Sequence, residues 1–218
     1  MKKVVAIDGP SGSGKTTIAR LIALKLGFNY LDTGALYRAV ALALRSRKIE
    51  PEDSDDILKN VLDKINVRFG NGKVFLDGRD VSEEIRSKEI DHYSSVFSTR
   101  KIVRDFLLGA QRNAALETDL VVEGRDTTTV IFPDAVKKIF LDASVEERAR
   151  RRYIQFKIKG FDIDMEEARK GIIERDKRDS DRDIAPLKKA PGALVIDSSD
   201  LPIEKVEDRI IKFIKTDP

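Results

Sequence analysis

Apolar positions along the chain fall into two kinds of stretch. Val4-Val5-Ala6-Ile7 is an unbroken apolar run of the sort found in strands covered on both faces. It is followed from Lys15 to Leu26 by Ile18, Leu21, Ile22 and Leu26, at the spacing of one helix face, with Gly27 as the stop. Phe28 to Leu31 then predicts a short buried strand, and Asp32-Thr33-Gly34 gives a polar start to a helix from Ala35 to Ser46. Strand, helix, strand, helix is the rhythm of a parallel sheet with crossover helices.

Beyond Pro51 the rhythm breaks. Asp55 to Ile65 has a helical pattern. Val67-Arg68-Phe69 and Lys73-Val74-Phe75-Leu76 then alternate about Gly70-Asn71-Gly72, a hairpin signal, and Asp77 to Val81 predicts a third short strand. Residues Asn66 to Arg86 form the heart of an insert that we bound at 60–96. Helices are expected over Lys88–Phe97 and Arg100–Glu117. Strands are expected over Leu120–Glu123, over Lys138–Asp142 after the turn Phe132-Pro133-Asp134, and over Ala193–Ile196. Two helices, Ser144–Lys159 and Met165–Asp181, flank Gly160 within a helical region at 150–186, and an amphipathic helix closes the chain over Ile203–Ile214. The expectation is one α/β domain over 1–218, a doubly wound five-stranded parallel sheet carrying a small hairpin-containing insert.

Composition narrows the chemistry. The 218 residues contain no cysteine, which excludes disulfides, thiolate metal sites and a cysteine nucleophile. A net charge of +3 gives no global nucleic-acid signature, and 36% charged residues of both signs predict a surface laced with ion pairs. Met1-Lys2-Lys3 leads directly into the first strand, with no apolar signal or spanning segment, so a cytoplasmic protein with no membrane partner is expected. His92, the single histidine, sits in a polar helix and receives no role.

The strongest local pattern is Gly9-Pro10-Ser11-Gly12-Ser13-Gly14-Lys15-Thr16, between the first strand and the first helix. Its glycines let successive backbone N–H groups face one concavity, and the helix adds its positive end, so the loop suits the phosphates of a nucleoside triphosphate. Lys15 then reaches the outer phosphates, and Thr16 offers its hydroxyl to magnesium. Ligands collect at the carboxyl ends of such strands, which brings Thr33 and Gly124-Arg125-Asp126 to the same cleft. Between Arg148 and Arg182 lie eight arginines. Spacings of three and four place Arg175, Arg178 and Arg182 on one face, with Asp179 positioned to orient Arg175. Planar, permanently charged forks on a mobile hairpin suit a lid that closes on phosphoryl oxygens. Arg38, one turn after Thr33, can reach a monophosphate, and Tyr37 beside it is either core or site. The arginine richness favours an acceptor that is itself a phosphate. A small-alcohol kinase and a nucleotide-dependent switch remain open on these residues alone.

These motifs, in this order, resemble the bacterial cytidylate kinases almost end to end. The resemblance rests on Ile7 to Lys15, Leu31-Asp32-Thr33-Gly34-Ala35-Leu36-Tyr37-Arg38 and Gly124-Arg125-Asp126. It continues through Val130-Ile131-Phe132-Pro133-Asp134-Ala135, Glu174-Arg175-Asp176-Lys177-Arg178-Asp179 and Ala185-Pro186-Leu187. It implies a P-loop kinase that phosphorylates CMP and dCMP from ATP with Mg2+, a monomer, with a monophosphate-binding insert and a helical lid. Gly9 to Thr17 and Arg151 are then on the ATP side. Thr33, Tyr37, Arg38, Ser95, Arg104, Arg125, Asp126, Arg175, Asp179 and Arg182 are on the acceptor side, and Lys15, Arg125, Arg175 and Arg178 serve transfer. One departure is Thr127-Thr128-Thr129, since the family usually has glycine at the position of Thr128. That substitution predicts a locally altered backbone.

Overall fold

The structure is a computed structural model that describes residues 2–70, 72–116 and 118–216. In chain order it runs β1 (Val4–Asp8), α1 (Lys15–Leu26), β2 (Asn29–Asp32), α2 (Thr33–Arg45), α3 (Asp55–Leu62), β3 (Val67–Gly70), β4 (Lys73–Leu76) and β5 (Arg79–Asp80). There follow α4 (Lys88–Phe97), α5 (Lys101–Asn113), β6 (Leu120–Gly124), β7 (Lys137–Asp142), α6 (Val145–Ile158), α7 (Met165–Asp181), β8 (Leu194–Asp197) and α8 (Ile203–Lys215).

Five strands form one sheet in the order β2-β6-β1-β7-β8, every pairing parallel. The apolar run of β1 is continuous because the sheet is covered on both faces. Val4 and Ala6 pack with α2, α5 and the insert, while Val5 and Ile7 pack with α1 and α8. β3, β4 and β5 form a separate antiparallel sheet with Val67 opposite Leu76. Val67, Val74 and Leu76 share the core of α2 and α3, so the hairpin extends one face of the domain. Surface ion pairs such as Lys25–Glu207 and Lys59–Asp63 bear out the charge pattern, each adding little by itself.

Several boundaries move for identifiable reasons. Asp32 ends β2 and also caps α2, accepting the Ala35 N–H at 2.9 Å, so that helix opens at Thr33 rather than Ala35. The α3 helix stops at Leu62 and α5 at Asn113, both short of expectation. Asn71 of the hairpin turn and Glu117 lie outside the described residues. A π-helical turn over Thr127–Ile131 was not expected from the sequence, because three β-branched threonines carry no helix signal.

Candidate active site

The β1 strand delivers the chain into the glycine-rich loop at the centre of the sheet. Gly9 passes so close to β7 that a Cβ would lie 2.0 Å from the Leu141 carbonyl oxygen, which restricts the position to glycine. Gly14 precedes α1 with φ 94°, a left-handed conformation that costs glycine nothing. Lys15 is buried and folds back on the loop, its Nζ donating to the Pro10 carbonyl at 2.7 Å and to Ser13 Oγ at 3.3 Å. Burial, reinforced by the charge of Arg125 and opposed by Glu123 and Asp8, brings its ammonium down to about 7.

Both arms of the helical hairpin hold this loop. From α6, Arg148 Nη1 donates to the Ser11 carbonyl at 3.1 Å and pairs with Asp176 of α7. Asp176 Oδ1 in turn accepts the Ser11 N–H at 3.3 Å. Arg151 donates to the Ser13 carbonyl at 3.3 Å and to the Ser198 carbonyl at 2.7 Å.

The loop opens onto a cleft of about 450 Å³ that gathers Ser11, Gly12, Gly14, Lys15, Thr16, Thr17, Arg38, Arg125, Arg151 and Arg175 from the sequence-derived set. Arg38 is steadied by Asp32 at 2.9 Å. Thr33 lies at the sheet end, its hydroxyl donating to the Glu123 carbonyl at 2.7 Å. Arg125 Nε donates to Asp179 Oδ2 at 2.8 Å. Asp179 thus orients Arg125, whereas the i, i+4 spacing had assigned it to Arg175. Burial works to raise the Asp179 carboxyl, but Arg125, Arg175 and Arg182 outweigh it and hold it low.

The remaining acceptor-side residues lie behind the cleft wall, already paired. Asp126 meets Arg104 and, at 3.5 Å, Arg182, and its carboxyl is raised by burial against the pull of both. Arg182 is reached from just past the end of α7, where the backbone is extended, and so is not on the helix face predicted for it. Tyr37 is buried, with the Arg104 guanidinium 5.6 Å from its ring centroid and its phenol pushed up to about 12 by burial. Ser95 Oγ accepts from Arg178 Nε at 3.1 Å, and both face a second hollow of about 300 Å³ rather than the cleft.

Sequence reasoning missed Glu123, Asp91, Arg152 and Asp8. Glu123 stood in view, last in the strand before Gly124-Arg125-Asp126. It accepts from the Tyr30 hydroxyl at 2.8 Å, and burial raises its carboxyl. Asp8 takes the N–H groups of Thr127 (2.9 Å) and Thr128 (2.7 Å) and the hydroxyls of Thr127 (2.7 Å) and Thr128 (2.5 Å). Thr128 is not among the residues with positive φ, so the position does not require glycine here. Its hydroxyl instead adds a fourth hydrogen bond to the carboxylate that opens the phosphate loop.

Among the described residues no three His, Asp or Glu side chains gather as a metal cluster. Thr16, Glu123 and Asp32 nevertheless line the cleft, oxygen-bearing side chains suited to a hydrated magnesium ion carried in on phosphates. A parallel sheet, a phosphate loop on its central strand and arginines facing that loop define a P-loop phosphotransferase.

A sequence profile described as "Cytidylate kinase" matches residues 5–216. The cytidylate kinase of Thermosipho melanesiensis is 49% identical over 211 residues, covering 97% of this chain and 96% of that protein. The cytidylate kinase of Thermodesulfovibrio yellowstonii is 48% identical over 221 residues, covering 100% of both. Shikimate kinase from Bacteroides thetaiotaomicron aligns at TM-score 0.50 and 12% identity over 98% of this chain and 99% of its own, a likeness of fold alone. The chain belongs to the cytidylate kinase family.

Proposed function

We propose that the chain catalyses transfer of the γ-phosphoryl group of ATP to CMP and dCMP, yielding ADP with CDP or dCDP in pyrimidine nucleotide metabolism. The supporting observation is the convergence of Lys15 with Arg38, Arg125 and Arg175 on one cleft, in a chain of this family. An acceptor phosphate oxygen attacks the γ-phosphorus in line, and the bond to the β–γ bridging oxygen breaks. The acceptor is already an anion, so charge neutralisation and alignment do the work that a base would do for an alcohol.

Gly9 to Thr17 and Arg151 bind the triphosphate. Thr33, Arg38 and Arg125 bind the acceptor phosphate, and Lys15, Arg125 and Arg175 neutralise the group in transfer; Arg178, which faces the adjoining hollow, would join them on closure of the hairpin. Tyr37, Ser95, Arg104, Asp126, Asp179 and Arg182 shape the sugar and base side. Thr16, with Glu123 and Asp32 behind it, would hold Mg2+, which supplies charge compensation on the phosphates when bound. Region 60–96 serves as the monophosphate-binding insert and region 150–186 as the lid. Because the base-side charges already neutralise one another, CMP exchanges partners with them rather than meeting bare charges. An Asp126 carboxylate facing the 4-amino group of cytosine would meet an acceptor oxygen in UMP, a mismatch costing about 1–3 kcal/mol. We expect a monomer, and among the described residues no helix is long and apolar enough to cross a membrane. We place the enzyme in the cytoplasm, where its nucleotide substrates are.

A coupled ADP-release assay across CMP, dCMP, UMP, AMP and shikimate tests the reading. Turnover is expected with CMP and dCMP and at least tenfold lower kcat/KM with UMP, about 1.4 kcal/mol. No CMP-dependent ADP above the no-acceptor background would remove it.

A further inference from the structure

Asp91 stands in the middle of α4, where its carboxylate bridges the two arms of the helical hairpin. Oδ1 accepts from Arg175 Nη1 of α7 at 2.8 Å, and Oδ2 accepts from Arg152 Nη2 of α6. One turn further along α4, Ser95 accepts from Arg178, one turn along α7. Two rungs thus join insert helix to hairpin. Only the first rung borders the cleft. Asp91, Arg152 and Arg175 line both the cleft and the adjoining hollow, forming the partition between them.

Eight cations line that cleft: Lys15, Arg38, Arg86, Arg125, Arg151, Arg152, Lys159 and Arg175. In a site shielded from water such groups repel one another and turn outward unless an anion lies among them. Asp91 supplies one on the Arg152 and Arg175 side. It occupies one terminal N–H of Arg175, a group with five donors, and the Arg175 Nε is buried with no partner among the described residues. A forked cation held by one edge, with donors still unused, is set to receive an anion at the other. Asp91 itself is held ionised: burial opposes its charge, and Arg175, Arg152 and Arg38 outweigh that.

We propose that Asp91 is a positioning residue for phosphoryl transfer, acting through Arg152 and Arg175 by fixing their guanidinium groups at the cleft before nucleotide arrives. The proposal rests on the reading of Arg175 as a group that meets the transferring phosphoryl. A carboxylate that merely tethered the hairpin would affect stability and substrate affinity. A carboxylate that aims Arg175 affects the rate of the bound complex, because misplacing such a group by about 1 Å costs up to about a hundredfold.

The test is steady-state kinetics of the full chain as parent, D91N, D91E, R175A and D91N/R175A, each measured well below its melting temperature. D91N is expected to lower kcat about 10- to 100-fold while KM for CMP and for ATP changes less than about threefold. In the R175A background, D91N is expected to cost less than about threefold more, since its effect runs through the missing guanidinium. Should D91N not fold, D91E carries the test. It keeps the charge, displaces the arginines by one methylene, and is expected to lower kcat at least about threefold. Parental kcat in D91N, or in D91E where that variant stands in, overturns the proposal if R175A is slow. So do losses that multiply in the double variant. R175A at the parental rate defeats the reading of Arg175 itself, and the role of Asp91 with it.

Discussion

Lys15 carries a consequence that its motif does not reveal. A P-loop lysine is ordinarily read as a fixed positive charge, yet here burial beside Arg125 brings its ammonium from 10.5 to about 7. Between those values the unfolded chain binds more protons at this position than the folded one. Folding stability therefore rises with pH across that window as far as Lys15 is concerned, and the full penalty stands below it. Phosphate oxygens would reverse the shift, so ATP binding at pH 8.5 is expected to take up close to one proton and at pH 6 almost none. Titration calorimetry in two buffers of different ionisation heat reads the difference, and K15Q should abolish it. Equal apparent heats in both buffers at pH 8.5 would mean that the lysine is already charged in the free protein.

At the scale of elements, the π-helical turn over Thr127–Ile131 is an anchor for β1. Asp8, the last residue of β1, is fully buried and takes its four hydrogen bonds from Thr127 and Thr128. Thr128→Gly keeps the two N–H donors and removes one hydroxyl from a buried carboxylate, with an expected loss of about 1–3 kcal/mol in denaturant unfolding. A change below about 0.5 kcal/mol would show that Asp8 is adequately served by three donors. The sheet strands and the long helices were readable because apolar residues recur at periods that the backbone enforces. The π-helical turn was not, since its threonines satisfy a partner more than a hundred residues away and carry no period. The candidate site divides in the same way. Gly9 to Thr16 and Arg125 announce themselves through local spacing at a strand end. Asp91 meets Arg152 and Arg175 only after the hairpin has folded across the sheet, and nothing near it in the chain marks it. The transfer of Asp179 from Arg175 to Arg125 is a further case, in which a neighbouring strand end overrode a helical spacing.

Across the whole molecule, the order β2-β6-β1-β7-β8 places the loops after β2 and β6 on one side of the phosphate loop and α6 with the β8 end on the other. Thr33 and Arg125 therefore stand on one side of β1 and Arg151 with Ser198 on the other, so the proposed acceptor and donor sides would be separated along the strand order. The hairpin spans both, Asp179 of α7 meeting Arg125 and Arg151 of α6 meeting Ser198. Its α7 arm contributes Asp176, whose carboxylate accepts the Ser11 N–H, a donor of the loop that would otherwise face phosphate oxygen. On the proposed reading of this loop as the ATP site, the chain holds the seat with its own carboxylate until nucleotide takes it. Association with ATP would then exchange one anion for another and be timed by the hairpin and not by diffusion. Stopped-flow binding of a fluorescent ATP analogue should accordingly reach a plateau rate at high nucleotide in the parent, and Asp176→Ala should raise that plateau at least about threefold, whereas a rate that stays linear in nucleotide in both would leave the seat without a gatekeeper.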